Sequence, residues 1–333
     1  MSATHSMAST AQQPKENQVD QNSDFSVDGA TRQSAKDNPT SPQMIQTIQA
    51  IWKKVRESNP LTHCITNTVV QFLSANVLLA AGASPAMVDI AGESGDFAAM
   101  VSALLINLGT PNPEQRKAVP EAVASAREHG KPWVLDPVGV GALRIRTELA
   151  VRILDYQPTI IRGNASEIIT LNNVSGGTPT ASSGKGVDAG DSVDSAIPAA
   201  QELAKRTGAV VAVSGPLDLI TDGSRILRCG NGDALLTLVT GGGCSLGAYL
   251  AAFASTGEDP LLCAAAAHAC YGIAAQHAAA IAKGPGTFAA YFLDALTSIN
   301  EGDIAAEARI FPQDIPSDDT SDSQASSASI QEA

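Results

Sequence analysis

The chain has 333 residues, 44% of them hydrophobic and 17% charged, which is enough apolar surface for a sizeable globular core. Its formal net charge of −13 excludes binding that rests on counterion release from nucleic acid or on attraction to anionic lipid, so neither nucleic acid nor membrane is expected as a partner. The five cysteines, Cys64, Cys229, Cys244, Cys263 and Cys270, are odd in number and contain no CxxC pair, which points to reduced thiols in a cytoplasmic protein, not to disulfides or structural zinc.

Residues 1–42 are polar and carry Pro and Gly without hydrophobic periodicity, so they read as a disordered extension with no signal-peptide core. Met44 to Arg56 then shows helical spacing, with Ile45, Ile48, Ile51, Trp52 and Val55 on one side. Val69 to Ala80 is a second helical run, with Asn67 placed to cap it. Ala103 to Leu108 is a short apolar strand. Pro113 to His129 reads as a helix, with Pro at its start and Gly130 beyond its end. Trp133 to Leu135 and Thr159 to Ile161 are strands on either side of a helix over Thr147 to Asp155, and Asn164 could cap a helix through Leu171. A Gly/Ser-rich loop spans Asn172 to Ser192. A helix (Ala196 to Arg206), a strand (Val210 to Val213) and a hairpin around Asp222-Gly223 follow. Long helices begin at Gly243. The alanine-rich stretch Leu261 to Ala282 contains His268, Gln276 and His277 and suits a buried helix better than a membrane span. From residue 303 an acidic Ser/Asp run reads as a disordered tail, leaving 43–302 as the folded domain. The alternation of strands and helices implies an α/β fold with a mostly parallel sheet covered on both faces. Ligands in such folds bind beyond the carboxyl ends of the strands.

The most chemical of the segments at those ends is Val239 to Gly247, which contains Gly241, Gly242, Gly243 and Cys244 directly before an apolar helical run. Three glycines permit close backbone approach, and free N–H groups at a helix start can hold a phosphoryl group. Cys244 at the positive end of that helix is expected to favour thiolate. A glycine-rich turn with a buried cysteine is the alternative. Walker A and dinucleotide fingerprints fail, because Gly184-Lys185 is followed by Gly186 and Arg144 takes the place of the third glycine after Gly139-Val140-Gly141. Asp136 and Glu167 could hold Mg²⁺ while Arg162 contacts nucleotide phosphates. Their structural alternatives are a turn residue before Pro137 and a first-turn helix charge.

Seven stretches, taken in order, resemble the hydroxyethylthiazole kinase family: Asn59 to Asn67, Gly82 to Met87, Leu105 to Thr110, Leu135 to Ala142, Ile161 to Glu167, Lys185 to Asp188 and Thr240 to Cys244. The resemblance covers residues 45 to 300. It implies a ribokinase-like three-layer α/β fold, ATP with Mg²⁺, and a homotrimer with active sites between subunits. It also implies phosphorylation of the thiazole alcohol 5-(2-hydroxyethyl)-4-methylthiazole in thiamine salvage. By motif, Met87 and Gly241 would contact the thiazole with Asn67 beside it, Arg162 and Ser214 would contact ATP, and Asp136 and Glu167 would serve the metal. Gly242 and Gly243 would form the anion hole, and Cys244 would be the catalytic residue that orients the hydroxyl or accepts its proton. The family usually reads Thr-Gly-Thr-Gly-Cys, whereas Gly242 here replaces the second Thr. A hydroxymethylpyrimidine or pyridoxal kinase, or a non-catalytic thiazole-binding protein, are the competing readings.

Overall fold

The computed structural model describes residues 39–180 and 191–314. The described chain runs α1 (Pro42–Ser58), β1 (Leu61–Ile65), α2 (Gln71–Ala81), β2 (Ser84–Ala86), α3 (Ser94–Met100), β3 (Ala103–Asn107), α4 (Gln115–Glu128), β4 (Trp133–Asp136), α5 (Arg144–Leu154), β5 (Ile160–Asn164) and α6 (Ala165–Val174). It continues through α7 (Ile197–Thr207), β6 (Val210–Ser214), β7 (Asp218–Thr221), β8 (Ile226–Cys229), α8 (Gly242–Ala254), α9 (Pro260–Ile281), α10 (Pro285–Ser298), α11 (Glu301–Glu307) and β9 (Ile310–Pro312).

Successive side chains of a strand point to opposite faces, and here both faces find apolar cover. Ala103 and Leu105 of β3 join one core with residues of α1, α2, α8, α9 and α10. Their neighbours Leu104 and Ile106 join a second core with α4, α5, α6 and α7. Burial on both sides is why β3 reads as a continuous apolar run without alternation. The sheet order is β2-β1-β3-β4-β5-β6-β7-β8-β9. Pairing is parallel from β2 through β6 and antiparallel from β6 through β9. This is the three-layer, mostly parallel α/β arrangement expected from the sequence.

Three differences have physical causes. First, α2 begins at Gln71 after Val70, with no side-chain cap, and Asn67 is turned into the protein instead. Second, β1 was not legible as a strand: Thr62 and His63 interrupt the apolar pattern, yet both are fully buried. Third, the folded region does not stop at 302. An Asn300 capping box starts α11, and buried Ile304, Ile310 and Phe311 hold α11 and β9 against the rest. At the other end, Ser41 caps α1 and Pro42 begins it. The remainder of both expected tails, and the Lys185 to Asp188 motif, lie outside the described residues.

Candidate active site

The carboxyl ends of β1, β3, β4, β5 and β6 lie side by side, and Asn107, Asp136 and Arg162 near them stand close to the start of α8. At the centre, Asp136 closes β4 fully buried. Asn107, at the same register on β3, donates its Nδ2 to Asp136 Oδ2 at 2.6 Å. Asn107 Oδ1 accepts from Asn67 Nδ2 and from the Gly109 N–H, both at 2.9 Å. Gly109 is required here by close approach, because a Cβ would stand 2.7 Å from Asn67 Nδ2.

On the other side of Asp136, Arg162 of β5 places Nη1 3.6 Å from Asp136 Oδ2, and its Nε donates to Ser214 Oγ at 3.1 Å. Arg162 is 9% exposed, so its charge is held in a largely dry place. Burial is the largest influence and works against that charge, but Asp136, Cys244, Glu167 and Asp218 together outweigh it. Glu167 sits in the first turn of α6, where it completes a capping box with Asn164. Its Oε1 accepts from the Gly139 N–H at 3.2 Å and its Oε2 from the Asn164 N–H at 3.0 Å. The capping role expected of Asn164 is therefore present, and Glu167 combines a dipole-favoured position with a bond to the loop after β4.

Gly241, in the left-handed region at φ +95°, turns the chain into α8. The Gly242 N–H is already used, donating to Val239 O at 3.0 Å. Gly242 thus does not supply the free donor expected of it. Among the described residues the N–H groups of Gly243 and Cys244 have no acceptor, so these two lead the helix toward an anion. The Arg162 guanidinium lies against this turn, with Nη2 3.1 Å from where a Gly243 Cβ would be.

Cys244 meets Asp136, Arg162, Asn107 and Asn67. Burial first, and Asp136 second, push its thiol up to about 11, against the opposing pull of Arg162 and of the polar Asn107 and Asn67 amides nearby. The thiolate expected at a helix start is overridden, and Cys244 is a thiol at neutral pH. Asp136 is itself pushed up to about 7 by burial, with Arg162 and Asn107 opposing and Glu167 adding to the rise. One of its oxygens, Oδ1, is buried without a hydrogen-bond partner. Met87 follows β2 at the same sheet edge, half-buried against the core that α2 and α8 share. No hydrogen bond ties it to the cluster.

The site therefore assembles Asn67, Asp136, Arg162, Ser214, Glu167 and Cys244 and adds Asn107, which sequence reading passed over. The available signal was a polar residue closing an all-apolar strand. Cys64 next to it is fully buried, its thiol pushed up to about 12 by burial, so it packs and does not react.

A crossover α/β sheet that gathers a buried carboxylate, an arginine and a glycine-led helix start at its carboxyl edge defines an enzyme for phosphoryl transfer. Residues 52–302 match the model of the "Hydroxyethylthiazole kinase family". A hydroxyethylthiazole kinase of Clavibacter sepedonicus is 55% identical over 257 residues, covering 77% of this chain and 91% of that protein. One from Corynebacterium glutamicum (strain R) is 50% identical over 256 residues, covering 76% and 93%. The solved structure of a hydroxyethylthiazole kinase protein from Pyrococcus horikoshii OT3 superposes with a TM-score of 0.74 at 36% identity, covering 81% of this chain and all of that one. The chain belongs to the hydroxyethylthiazole kinase family.

Proposed function

We propose that the protein transfers the γ-phosphoryl group of ATP to the primary alcohol of 5-(2-hydroxyethyl)-4-methylthiazole. The observation that carries this reading is the continuous chain Asn67–Asn107–Asp136–Arg162–Ser214 wrapped around Cys244 at the start of α8. The alcohol lies toward Asn67, Met87 and Gly241, and the nucleotide toward Ser214. Arg162 stands between them, where it offsets charge on the phosphates. The N–H groups of Gly243 and Cys244 bind equatorial oxygens of the transferring group. Cys244, as a thiol, orients the attacking hydroxyl. A loose transition state puts little charge on that oxygen until late, so no strong base is needed, and the hydroxyl proton passes late to a non-bridging oxygen of the transferred phosphoryl group as ADP leaves.

The oxygen donors of Asp136 and Glu167 suit Mg²⁺, and the unpartnered Asp136 Oδ1 is a buried acceptor that a cation or its water would satisfy. Bound there, Mg²⁺ would neutralise phosphate charge. The homotrimer is supported by an apolar surface beside the site: Val69, Phe72 and Leu79 are 65%, 81% and 60% exposed. That surface borders the anion loop, since Val70 and Leu73 close over Gly241. A cytoplasmic setting is supported by the five free cysteines. Among the described residues no helix is long and apolar enough to cross a membrane.

The test is side-by-side phosphorylation of three alcohols: hydroxyethylthiazole, hydroxymethylpyrimidine and pyridoxal. The thiazole alcohol should have the highest kcat/KM by at least tenfold, about 1.4 kcal/mol of discrimination. Preference for either other alcohol would overturn the substrate assignment. ATP binding without turnover of any of the three would favour a binding protein.

A further inference from the structure

Helix α9 is fully buried between Ala264 and Ala275, and seven of those twelve residues are alanine. Besides the Cys270 thiol, His268 and Tyr271 are the polar side chains in that stretch, and both are buried. Three residues apart, they share a helix face about 5–6 Å from each other. A polar group buried in an alanine helix is disfavoured unless bonded, so their partners are informative.

Tyr271 Oη donates to the Gly242 carbonyl at 2.6 Å. Ser245 Oγ lies 2.8 Å from Tyr271 Oη, and its single proton is shared between that oxygen and the Gly241 carbonyl at 2.7 Å. The Gly242 carbonyl belongs to the same rigid peptide plane as the Gly243 N–H, and in a trans peptide the two point opposite ways. Holding the carbonyl thus aims the N–H at the anion and polarises it. The hydroxyl acts through that peptide, because the tyrosine itself faces Tyr249 and Phe292.

His268 has no exposed side-chain surface, and its Nδ1 bonds Asp218 Oδ2 at 2.7 Å. Its Nε2 is buried without a partner, so the tautomer with the proton on Nδ1 is the one that serves the carboxylate. Asp218 Oδ1 in turn accepts from the Gly215 N–H at 2.9 Å. That peptide begins at Ser214, whose Oγ receives Arg162. His268 therefore acts on the nucleotide-side turn as Tyr271 acts on the phosphoryl-side turn.

We propose that Tyr271 and His268 are positioning residues for phosphoryl transfer: one helix anchors both turns between which the transferring group must sit. This rests on the kinase reading and adds to it a pair of residues that touch no substrate.

The experiment compares Tyr271→Phe, His268→Leu and His268→Asn with the natural chain. It reads kcat, KM for ATP, calorimetric affinity for a non-hydrolysable ATP analogue, and Tm. Tyr271→Phe keeps the ring packing and should lower kcat about tenfold or more, with analogue affinity unchanged. His268→Leu should weaken analogue binding and raise KM for ATP about tenfold. His268→Asn, whose Nδ2 can stand in for the imidazole Nδ1, should recover most of that loss. Variants that lose only Tm, or lose kcat and ATP affinity together with no rescue by Asn, would overturn the proposal. If the natural chain phosphorylates none of the alcohols, the kinase reading fails on its own. Analogue binding then still decides the His268 arm, and unchanged affinity in His268→Leu would end it.

Discussion

Cys244 shows how burial and a neighbouring charge outweigh a helix dipole. A half-charge at the α8 start favours thiolate, but desolvation and Asp136 oppose it more strongly. As an orienting thiol, Cys244 should be important without being indispensable. Cys244→Ala is expected to lower kcat by about 10²-fold while leaving ATP-analogue affinity intact. Near-normal turnover would remove Cys244 from the reaction. Asp136 makes a prediction about stability. Its folded-state pKa is raised, so between about pH 4 and about pH 7 the unfolded chain releases a proton that the folded chain keeps. The metal-free protein therefore loses stability across that window as pH rises. Asp136→Asn removes the dependence, so its Tm minus that of the natural chain should increase from pH 4 to pH 8. A constant or falling difference would mean that the carboxyl is not held protonated. Gly242 also has a structural reason: a Cβ there would overlap the Leu236 carbonyl oxygen. Gly242→Thr, the residue usual in the family, should cost about 1–3 kcal/mol here and lower Tm. An unchanged Tm would show that the Ala234–Leu238 turn gives way freely.

At the level of elements, the strand-to-helix junction at β5 and α6 carries the site and was largely legible. Asn164 followed three residues later by Glu167 is a capping-box signature, and the structure contains the box. Asn164→Ala should cost about 1 kcal/mol in chemical denaturation and loosen Glu167. No loss would mean that the cap is redundant with sheet contacts. Asn67 was legible as a polar residue before a helix, but not as what it is. Local spacing allows a cap, whereas its true partner, Asn107, lies 40 residues away on a neighbouring strand. The same limit hid β1, whose buried Thr62 and His63 break the apolar pattern, and β9, whose strand is only three residues long. His63 is accommodated by a bond from its Nε2 to Val88 O and an edge-to-face contact with Phe97, neither of which is encoded locally. Residue types at the strand ends thus pointed to the site, while the distances within it depended on strand order.

At the scale of the whole molecule, the site is a consequence of the sheet. Parallel order from β2 to β6 brings the carboxyl ends of consecutive strands to one edge, and the two apolar cores fix that edge from both faces. The exposed apolar side chains of Val69, Phe72 and Leu79 are the surface that the proposed homotrimer would bury. The double substitution Phe72→Glu with Leu79→Glu should give monomers in sedimentation equilibrium and reduce activity, because that surface adjoins Gly241. Unaltered trimers, or a natural chain that is monomeric at micromolar concentration, would contradict an interfacial site. The central claim is tested most directly by incubating the protein with Mg²⁺-ATP and 5-(2-hydroxyethyl)-4-methylthiazole and reading the products by mass. The phosphate monoester of the thiazole alcohol, formed in step with ADP, is the predicted result. ADP formed with no thiazole phosphate, or no turnover at saturating alcohol, would contradict it.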